Sequence, residues 1–217
     1  MRILTVPALL VFVGTTSLAA QSDVERVLAS AQKAYNTIKT FSAEFDQTII
    51  NPMLGDPEQS HGTLFLLPPH RFAMRFSDPA GDRIVGDGTW LWLFTPSTVP
   101  DQVLRSPPPE AGPATPNLFA QFVDRPLERY EAEYAGRDTT AGQAVDKIRL
   151  VPRTNETPFQ RAVIHIARSN GIIRGLDLVE ESGQRRSLVL RTIHLNAPID
   201  DNEFVFTPPR GVKIISP

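Results

Sequence analysis

The segment DRIVGDGTWLWLFTP, residues 82–96, predicts a β-hairpin whose second strand is apolar on both faces. Asp87-Gly88 is a preferred pair for a two-residue type I′ turn between antiparallel strands. After this turn, residues 90–94 read WLWLF with no polar residue among them, although an exposed antiparallel strand should alternate apolar and polar residues. The sequence therefore indicates a hairpin in which both faces need an explanation.

Counting outward from the predicted turn divides the hairpin between two faces, because directly opposed residues of an antiparallel pair share a face. This register pairs Ile84 with Leu91 and Arg83 with Trp92. We expect the aliphatic side chains of Ile84, Leu91 and Leu93 on the inner face. We expect Arg83 and the Trp92 indole to form a cation–π pair on a solvent-exposed outer face. A slip of one residue would exchange the two faces.

One amphipathic helix is predicted near the start of the chain, over residues 23–38. Ser22 and Glu25 form an S-x-x-E capping box, and apolar residues then recur at helical spacing. The next segment, FSAEFDQTI at 41–49, alternates apolar and polar residues, which is typical of a strand with one buried face. The chain therefore changes from helix to sheet at this point.

Two further strands are predicted in the stretches GTLFLLPP and HRFAMRFSDP, which are separated by a break at Pro68-Pro69. In the second of these strands, Phe72, Met74 and Phe76 share one face. The opposite face is expected to be exposed to water and carries Arg71, Ala73 and Arg75.

A proline-rich loop and a short apolar segment follow the hairpin. Residues 106–117 read SPPPEAGPATPN, which favours an extended loop. In the segment LFAQFVD after it, Asn117 can cap a short helix that projects Leu118, Phe119 and Phe122 as apolar surface. An apolar helix on such a loop is a candidate lid. An ordinary core helix explains the same pattern, and periodicity leaves both open.

From Tyr130 onward the chain predicts a meander of antiparallel strands. Asn170-Gly171 and Ser182-Gly183 supply tight turns. The predicted strands lie in YEAEYAG, AVDKIRLVP, RAVIHIARS, IIRGLDLVEE, RRSLVLRTIHL and FVFTPP. With its helices confined to the first two-thirds, the chain is expected to be mainly β, of the α+β class.

The first segment has the features of a secretory signal peptide. It carries a basic residue, an apolar run over residues 3–13, and small residues before a cleavage site after Ala19 or Ala20. We expect residues 1–20 to be removed and residues 21–217 to form a single domain. The apolar run is too short for a membrane span. The absence of cysteine excludes disulfides, cysteine-based zinc sites and a lipidated cysteine after the signal.

Neither charge nor sequence motifs favour nucleic-acid binding or catalysis. The 22 basic and 24 acidic residues give a net charge of −2 with no basic block, which argues against nucleic acid and anionic membranes as main partners. No P-loop, dinucleotide-binding, nucleophile-elbow or H-E-x-x-H pattern occurs. We expect no catalytic residue, no metal site and no cofactor. The four histidines, which lack ligand spacing, are His61, His70, His165 and His194.

The amount of apolar surface remains to be explained. A well-filled core accounts for it, and so does a cavity between a curved sheet and its helices that holds an apolar ligand. Aromatic side chains and Met suit the lining of a cavity that accepts variable shapes.

Several segments, in the same order, resemble the LolA family of periplasmic lipoprotein carriers of Gram-negative bacteria. They are FSAEFDQTI, GTLFLLPPHRFAMRFSDP, VGDGTWLWLFTP and DDNEFVFTPPRGVKII. The last, with its F-x-F-x-P-P-x-G-V pattern, is the most specific. The resemblance covers essentially the whole chain after the signal peptide and is weakest between Pro107 and Asp146.

The resemblance implies an incomplete antiparallel β-barrel, in which a curved sheet and a few helices enclose a hydrophobic cavity. It also implies a carrier without catalytic activity, located in the periplasm. Such a carrier takes acylated lipoproteins from an inner-membrane ABC-type lipoprotein release complex and transfers them to an outer-membrane lipoprotein acceptor. We expect it to be a monomer.

The resemblance also assigns roles to residues. Phe72 matches a family aromatic near the cavity mouth, where the transporter docks. Family members carry a basic lid latch before the proline that ends the earlier strand, but Leu67 and Pro68 stand there, and Arg71 points away from Phe72 on a regular strand. The latch is therefore weaker here. The candidate cavity residues are Phe72, Met74, Phe76, Ile84, Leu91 and Leu93, and the candidate lid residues are Leu118, Phe119 and Phe122.

Two other functions fit the same sequence. One is a periplasmic lipid or lipoprotein sensor on the same half-barrel, which would bind cargo without carrying it. The other is an unrecognised secreted hydrolase, whose catalytic residues would have to be dispersed along the chain. Retention of an intact acylated protein favours the carrier, and a cleaved acid favours the hydrolase.

Overall fold

Antiparallel strands are the main secondary structure of the molecule. The computed structural model describes residues 16–53, 55–108, 119–154 and 157–216. The helices are α1 (Thr16–Tyr35), α2 (Ala120–Val123) and α3 (Pro126–Arg129). The strands are β1 (Phe41–Ile50), β2 (Glu58–Leu67), β3 (Arg71–Asp78), β4 (Arg83–Asp87), β5 (Leu91–Phe94), β6 (Gln102–Ser106), β7 (Tyr130–Thr140), β8 (Gln143–Pro152), β9 (Phe159–Ala167), β10 (Ile173–Glu180), β11 (Arg185–Leu195) and β12 (Lys213–Ile215).

The twelve strands form one curved, open sheet. Their order is β12-β6-β5-β4-β3-β2-β1-β11-β10-β9-β8-β7. Neighbours are antiparallel except for β12, which pairs with β6 in parallel. Within the described part of the chain the two edge strands, β7 and β12, do not pair with each other, so the barrel is incomplete. The predicted mainly β fold, with an open antiparallel sheet and few helices, is confirmed.

Helix α1 begins earlier than the sequence predicts. It starts at Thr16, so the Ser22–Glu25 capping box lies inside the helix, and Glu25 accepts a hydrogen bond from Gln21 one turn earlier. The reason is that the preceding residues, SLAAQ, contain no helix breaker. The apolar face of the helix packs on the inner face of the sheet through Val24, Val27, Leu28 and Ala31.

A large core fills the space between the inner face of the sheet and the helices. Alternate residues of β1, namely Phe41, Ala43 and Phe45, are buried in it, as the strand period predicts. Gly62 lies directly opposite Phe45, and a Cβ atom at Gly62 would lie 2.9 Å from the tip of the Phe45 ring and 2.1 Å from the Arg75 carbonyl oxygen. Glycine is therefore required where this aromatic side chain crosses the neighbouring strand.

The β4–β5 hairpin keeps its predicted faces but not its predicted register. The strands pair Ile84 with Leu93 and Val85 with Trp92, and the Asp87 N–H donates to the Trp90 carbonyl oxygen at 3.1 Å. The turn is therefore centred one residue later than predicted. Because each residue moves by two positions relative to its expected partner, every side chain stays on the face that the sequence assigned to it.

The predicted pairing of Arg83 with Trp92 is wrong. In the observed register Arg83 lies opposite Phe94. The cation over the indoles is Arg105 of β6, whose guanidinium carbon lies 4.5 Å from the Trp90 ring centroid and 5.6 Å from that of Trp92.

The outer face of the hairpin is also not solvent-exposed, because the C-terminal tail covers it. Trp92 is only 8% exposed. The segment FVFTPP, residues 204–209, is predicted as a strand. It instead begins at the last residue of a 3₁₀ helix, Asp201–Phe204, and lies across β3 to β6. Its two prolines supply no backbone donor for a ladder. This second core, termed the outer core, contains Ala73, Val85, Trp92, Val103 and Phe204, with Phe65, Leu67, Trp90, Phe94, Ile199, Phe206 and Val212 packed against it.

Candidate functional site

A cleft of about 620 Å³ opens on the inner face of the sheet. Five of the six predicted cavity residues line it, all from strands β3, β4 and β5. These five are Met74, Phe76, Ile84, Leu91 and Leu93. Further apolar lining comes from Ile49, Pro79, Leu176 and Leu188.

Strand register explains why these side chains meet. Met74 lies opposite Ile84, and Ile84 lies opposite Leu93, so the three form one row across β3, β4 and β5. Leu64 and Leu104 extend this row onto β2 and β6. An apolar stripe therefore crosses five strands at the same level of the inner face.

Phe72, the sixth predicted residue, does not line this cleft. It is 1% exposed and belongs to the inner core, with Leu66 and Gly86 as its partners on the neighbouring strands. In this conformation the Phe72 ring has no free surface, so it does not lie at the mouth of this cleft, and its contact with a partner stays a prediction. Phe72 does share a strand face with Met74 and Phe76, as the alternation predicts, but the cleft does not extend as far as Phe72.

The predicted lid segment lies at the opposite end of the inner face. Leu118 and Asn117 fall outside the described residues. Phe119 and Phe122 are buried, with the Phe119 ring 5.4 Å from Phe41 at the start of β1 and the Phe122 ring 5.8 Å from Phe159. In this conformation helix α2 is thus packed as part of the core, while the cleft takes its β1 residues from the other end of that strand.

Arg71 does not latch this segment. Its guanidinium lies on the outer face, donates to Asp201 at 3.0 Å and covers the Phe204 ring at 5.3 Å. Arg75 pairs with Glu203 in the same way. The face of β3 that was expected to be exposed to water is therefore partly covered, and its two cations fix the C-terminal tail.

One end of the cleft is polar, which the sequence did not indicate. The Gln47 side-chain amide donates from Nε2 to the Ser60 hydroxyl at 3.0 Å, and Arg186 donates from Nη1 to the Gln47 side-chain oxygen Oε1 at 2.9 Å. Arg186 also donates from Nε to Glu180 at 3.2 Å. The available signal was a polar residue at an inner-face position in each of three strands, β1, β2 and β11.

Residues with the chemistry of a hydrolase meet on the outer face. His165 lies 3.0 Å from the Thr140 hydroxyl through Nδ1 and 2.9 Å from Asp177 through Nε2, and Ser187 donates to the same carboxylate at 2.6 Å. Burial raises the pKa of Asp177, but the hydrogen bonds from His165 and Ser187 outweigh it, so its pKa lies below the usual value. Thr140 and His165 are buried and line none of the described clefts, so the network reads as a satisfied structural one.

Among residues 16–53, 55–108, 119–154 and 157–216, no group of three or more histidine, aspartate or glutamate side chains is placed to hold a metal ion. None of the helices in those ranges is both long enough and apolar enough to cross a membrane.

Comparison with known proteins adds relatives along nearly the whole chain. Curated outer-membrane lipoprotein carrier proteins are 27% identical in Pectobacterium carotovorum, over 93% of this chain and 92% of theirs, and 28% identical in Pasteurella multocida, over 91% and 89%.

Solved structures share the fold at low sequence identity. An uncharacterized conserved protein from Thermus thermophilus matches with a TM-score of 0.55 at 11% identity, over 90% of this chain and 99% of that one. The Pseudomonas aeruginosa MucA/MucB complex matches with a TM-score of 0.50 at 14% identity, over 89% of this chain and 63% of that one.

A family model then decides the assignment. The model of the outer membrane lipoprotein carrier protein LolA matches residues 36–207. The match runs from the end of α1 through all strands of the sheet except β12. The chain therefore belongs to the LolA family of outer membrane lipoprotein carrier proteins.

Proposed function

We propose that this protein is a periplasmic carrier that holds acyl chains of lipoproteins in the inner-face cleft and transfers them toward the outer membrane. One observation carries the proposal. In a chain of this family, three adjacent strands present a row of apolar side chains to a cleft instead of closing on it. The signal-peptide pattern at the start of the sequence supports the periplasmic location.

The energetics of acyl chains explain why a carrier is needed. Burial of each CH₂ gains about 0.8 kcal/mol, so a long chain released into water would cost on the order of 10 kcal/mol. Free diffusion of an acylated protein across an aqueous compartment is therefore negligible. A carrier must replace most of the lost apolar contact while still allowing release.

The cleft suits this requirement. Its volume of about 620 Å³ lies within the range of roughly 300–1,000 Å³ that is typical of ligand pockets. Met74 is flexible and polarizable, so it adapts to chains of different shape. Apolar contact without many directional bonds gives affinity for a chain with little selectivity for its attached protein.

Transfer also requires partners on both sides. We propose an inner-membrane ABC-type release complex as the donor of cargo and an outer-membrane lipoprotein acceptor as its destination. Cargo moves in one direction when the acceptor binds the acyl chains more tightly than the carrier does, because the direction follows the difference between successive affinities.

A cleft-filling variant tests the proposal. Ile84→Trp adds apolar volume where Ile84 lines the cleft, so the protein should fold and bind a dansyl-labelled fatty acid at least tenfold more weakly, as about 1.4 kcal/mol of lost contact would give. Val151→Trp, at an exposed position of β8 outside the cleft, is the matched control and should bind like wild type. Equal binding by all three folded proteins would count against this cleft.

The competing functions make different predictions for cargo. The mature protein, purified from periplasm and examined by mass spectrometry, should retain intact acylated protein and release it to vesicles that carry an outer-membrane acceptor. A sensor would retain cargo without transfer. A hydrolase would yield a cleaved fatty acid.

A further inference from the structure

The polar end of the cleft contains one charged donor with unused hydrogen-bonding capacity. Within the part of the chain that the structure describes, Arg186 is the only cation that lines the cleft. Its side chain is 22% exposed and bonds through Nε to Glu180 and through Nη1 to Gln47. A guanidinium has five N–H donors. The Nη2 atom of Arg186 makes no hydrogen bond to a side chain among the residues that the structure describes.

The position of Arg186 is unusual for the inner face. On β11 the inward residues Leu188 and Leu190 are buried in the core, and Arg186 continues the same alternation toward the cleft. Gln47 of β1 lies directly opposite Leu188 of β11. On the other side of β1, Ser60 of β2 lies directly opposite Gln47. Three adjacent strands thus carry polar side chains at one end of the apolar row. Further polar lining comes from Glu58, Gln59, Asp82, Thr95, Ser97 and Thr98.

We infer that Arg186, positioned by Gln47 and Glu180, binds the carbonyl or carboxylate end of an acyl chain whose hydrocarbon part lies along the cleft. The inference rests on the proposed acyl-binding function and adds a polar subsite to it. Ester and carboxylate oxygens accept hydrogen bonds and donate none, whereas guanidinium donates and accepts none, so the two groups are complementary.

This subsite would orient the bound chain. An ester carbonyl buried without a donor would lose its hydration uncompensated, which costs free energy. Placing the carbonyl at Arg186 and the methylenes beside Leu188, Leu176 and Met74 satisfies both ends of the molecule. The head of the cargo would then emerge at the end of the cleft where Glu58 and Gln59 lie.

Probes with the same twelve-carbon chain separate the head group from the hydrocarbon. We would measure displacement of the dansyl-labelled fatty acid by dodecanoate, by methyl dodecanoate and by dodecyltrimethylammonium, which has no acceptor and repels a cation. Wild type should bind the carboxylate and the ester about tenfold or more tightly than the ammonium head. This ratio corresponds to the free energy of one hydrogen bond from a charged donor. The carboxylate and ester arms distinguish a free fatty acid from an esterified lipid as the source of the group.

Substitution of Arg186 should abolish this preference. In Arg186→Met the carboxylate and the ester should lose their advantage over the ammonium head, while Arg185→Met, the adjacent exposed arginine on the outer face, should keep the wild-type preference. If removal of the cation leaves Glu180 unpaired and the variant unfolds, the double variant Arg186→Met/Glu180→Gln removes both charges and serves instead.

The outcomes separate the two proposals. A folded Arg186 variant that keeps the wild-type preference among heads would overturn the subsite and show a purely structural ion pair, while acyl binding would stand. If folded wild type binds none of the three probes, both the subsite and the acyl-binding function fail.

Discussion

Asp87 shows how one side chain sets the register of a hairpin. Its carboxylate accepts hydrogen bonds from the backbone N–H groups of Thr89 and Trp90, both at 2.7 Å, and from the Trp92 indole at 2.8 Å. These three bonds hold the turn one residue later than the Asp-Gly pair alone would place it. The same bonds connect the turn to the outer core through Trp92.

The protonation state of Asp87 should therefore affect stability. Burial raises the pKa of the Asp87 carboxyl, but the bonds from Trp92, Trp90 and Thr89 outweigh it, so its pKa lies below the ordinary value. A carboxyl with a depressed pKa in the folded state contributes stability above its unfolded pKa of about 4 and loses that contribution as the pH falls through the folded pKa.

We expect Asp87→Asn to reduce the free energy of unfolding by about 2 kcal/mol at pH 7, since it removes hydrogen bonds to a charged acceptor. The difference from wild type should shrink as the pH falls below about 4. Urea unfolding at pH 7, 5, 4 and 3 measures it. Asp56→Asn, at an exposed turn, is the control, and a difference for Asp87→Asn that stays constant down to pH 3 would show that the charge is not involved.

The C-terminal tail is the element that explains the apolar outer face of β5. It packs Phe204 into the outer core and Phe206 against Trp92 and Phe94, with ring centroids 5.5 and 5.8 Å apart. Beyond it, β12 pairs in parallel with β6 and forms the edge of the sheet. The hairpin is therefore apolar on both faces because one face lines the cleft and the tail covers the other.

Removal of the Phe204 ring tests this role. Phe204 is 1% exposed, so Phe204→Ala should cost about 3–5 kcal/mol of folding free energy. Hydrogen exchange should rise in β2 to β6 more than in β7 to β11, because Phe204 lies in the outer core, whose strand residues belong to β2 to β6. Val205→Ala, at the exposed neighbouring position, should change stability by less than about 0.5 kcal/mol. A uniform rise in exchange across the sheet would contradict a local role for the tail.

The sequence predicted where the strands lie better than it predicted which segments each strand pairs with or packs against. Alternation in β1 and β3 gave the strands and their inner faces, because the period of two follows from backbone geometry alone. The same alternation in FVFTPP did not give a strand, since periodicity cannot distinguish a ladder partner from side-chain packing. The polar cluster of Gln47, Ser60 and Arg186 required the order β2-β1-β11, which joins residues that are far apart in the chain.

On the scale of the whole molecule, the inner face is divided into an open end and a packed end. The cleft occupies the end where β1 finishes, and Phe122 of α2 and the preceding N-cap residue Phe119 pack into the end where β1 begins. The cleft volume of about 620 Å³ suits one ligand of ordinary size. A cargo with several acyl chains needs more apolar volume, and the buried aromatic side chains of α2 occupy the adjoining part of the same core.

We therefore expect α2 to respond differently to small and large cargo. In the free protein and with dodecanoate, the amides of Phe122 and Asp124, which donate to Phe119 and Ala120 at 3.0 and 2.7 Å, should stay protected from hydrogen exchange. A tripalmitoylated lipopeptide should increase exchange over residues 119–124 by displacing the aromatic side chains, while β6, near the opposite edge of the sheet from the β7 and β9 strands that Phe122 contacts, should keep its protection. If the lipopeptide binds and residues 119–124 remain as protected as before, the cleft alone accommodates the cargo, and α2 is a fixed part of the core and not a lid.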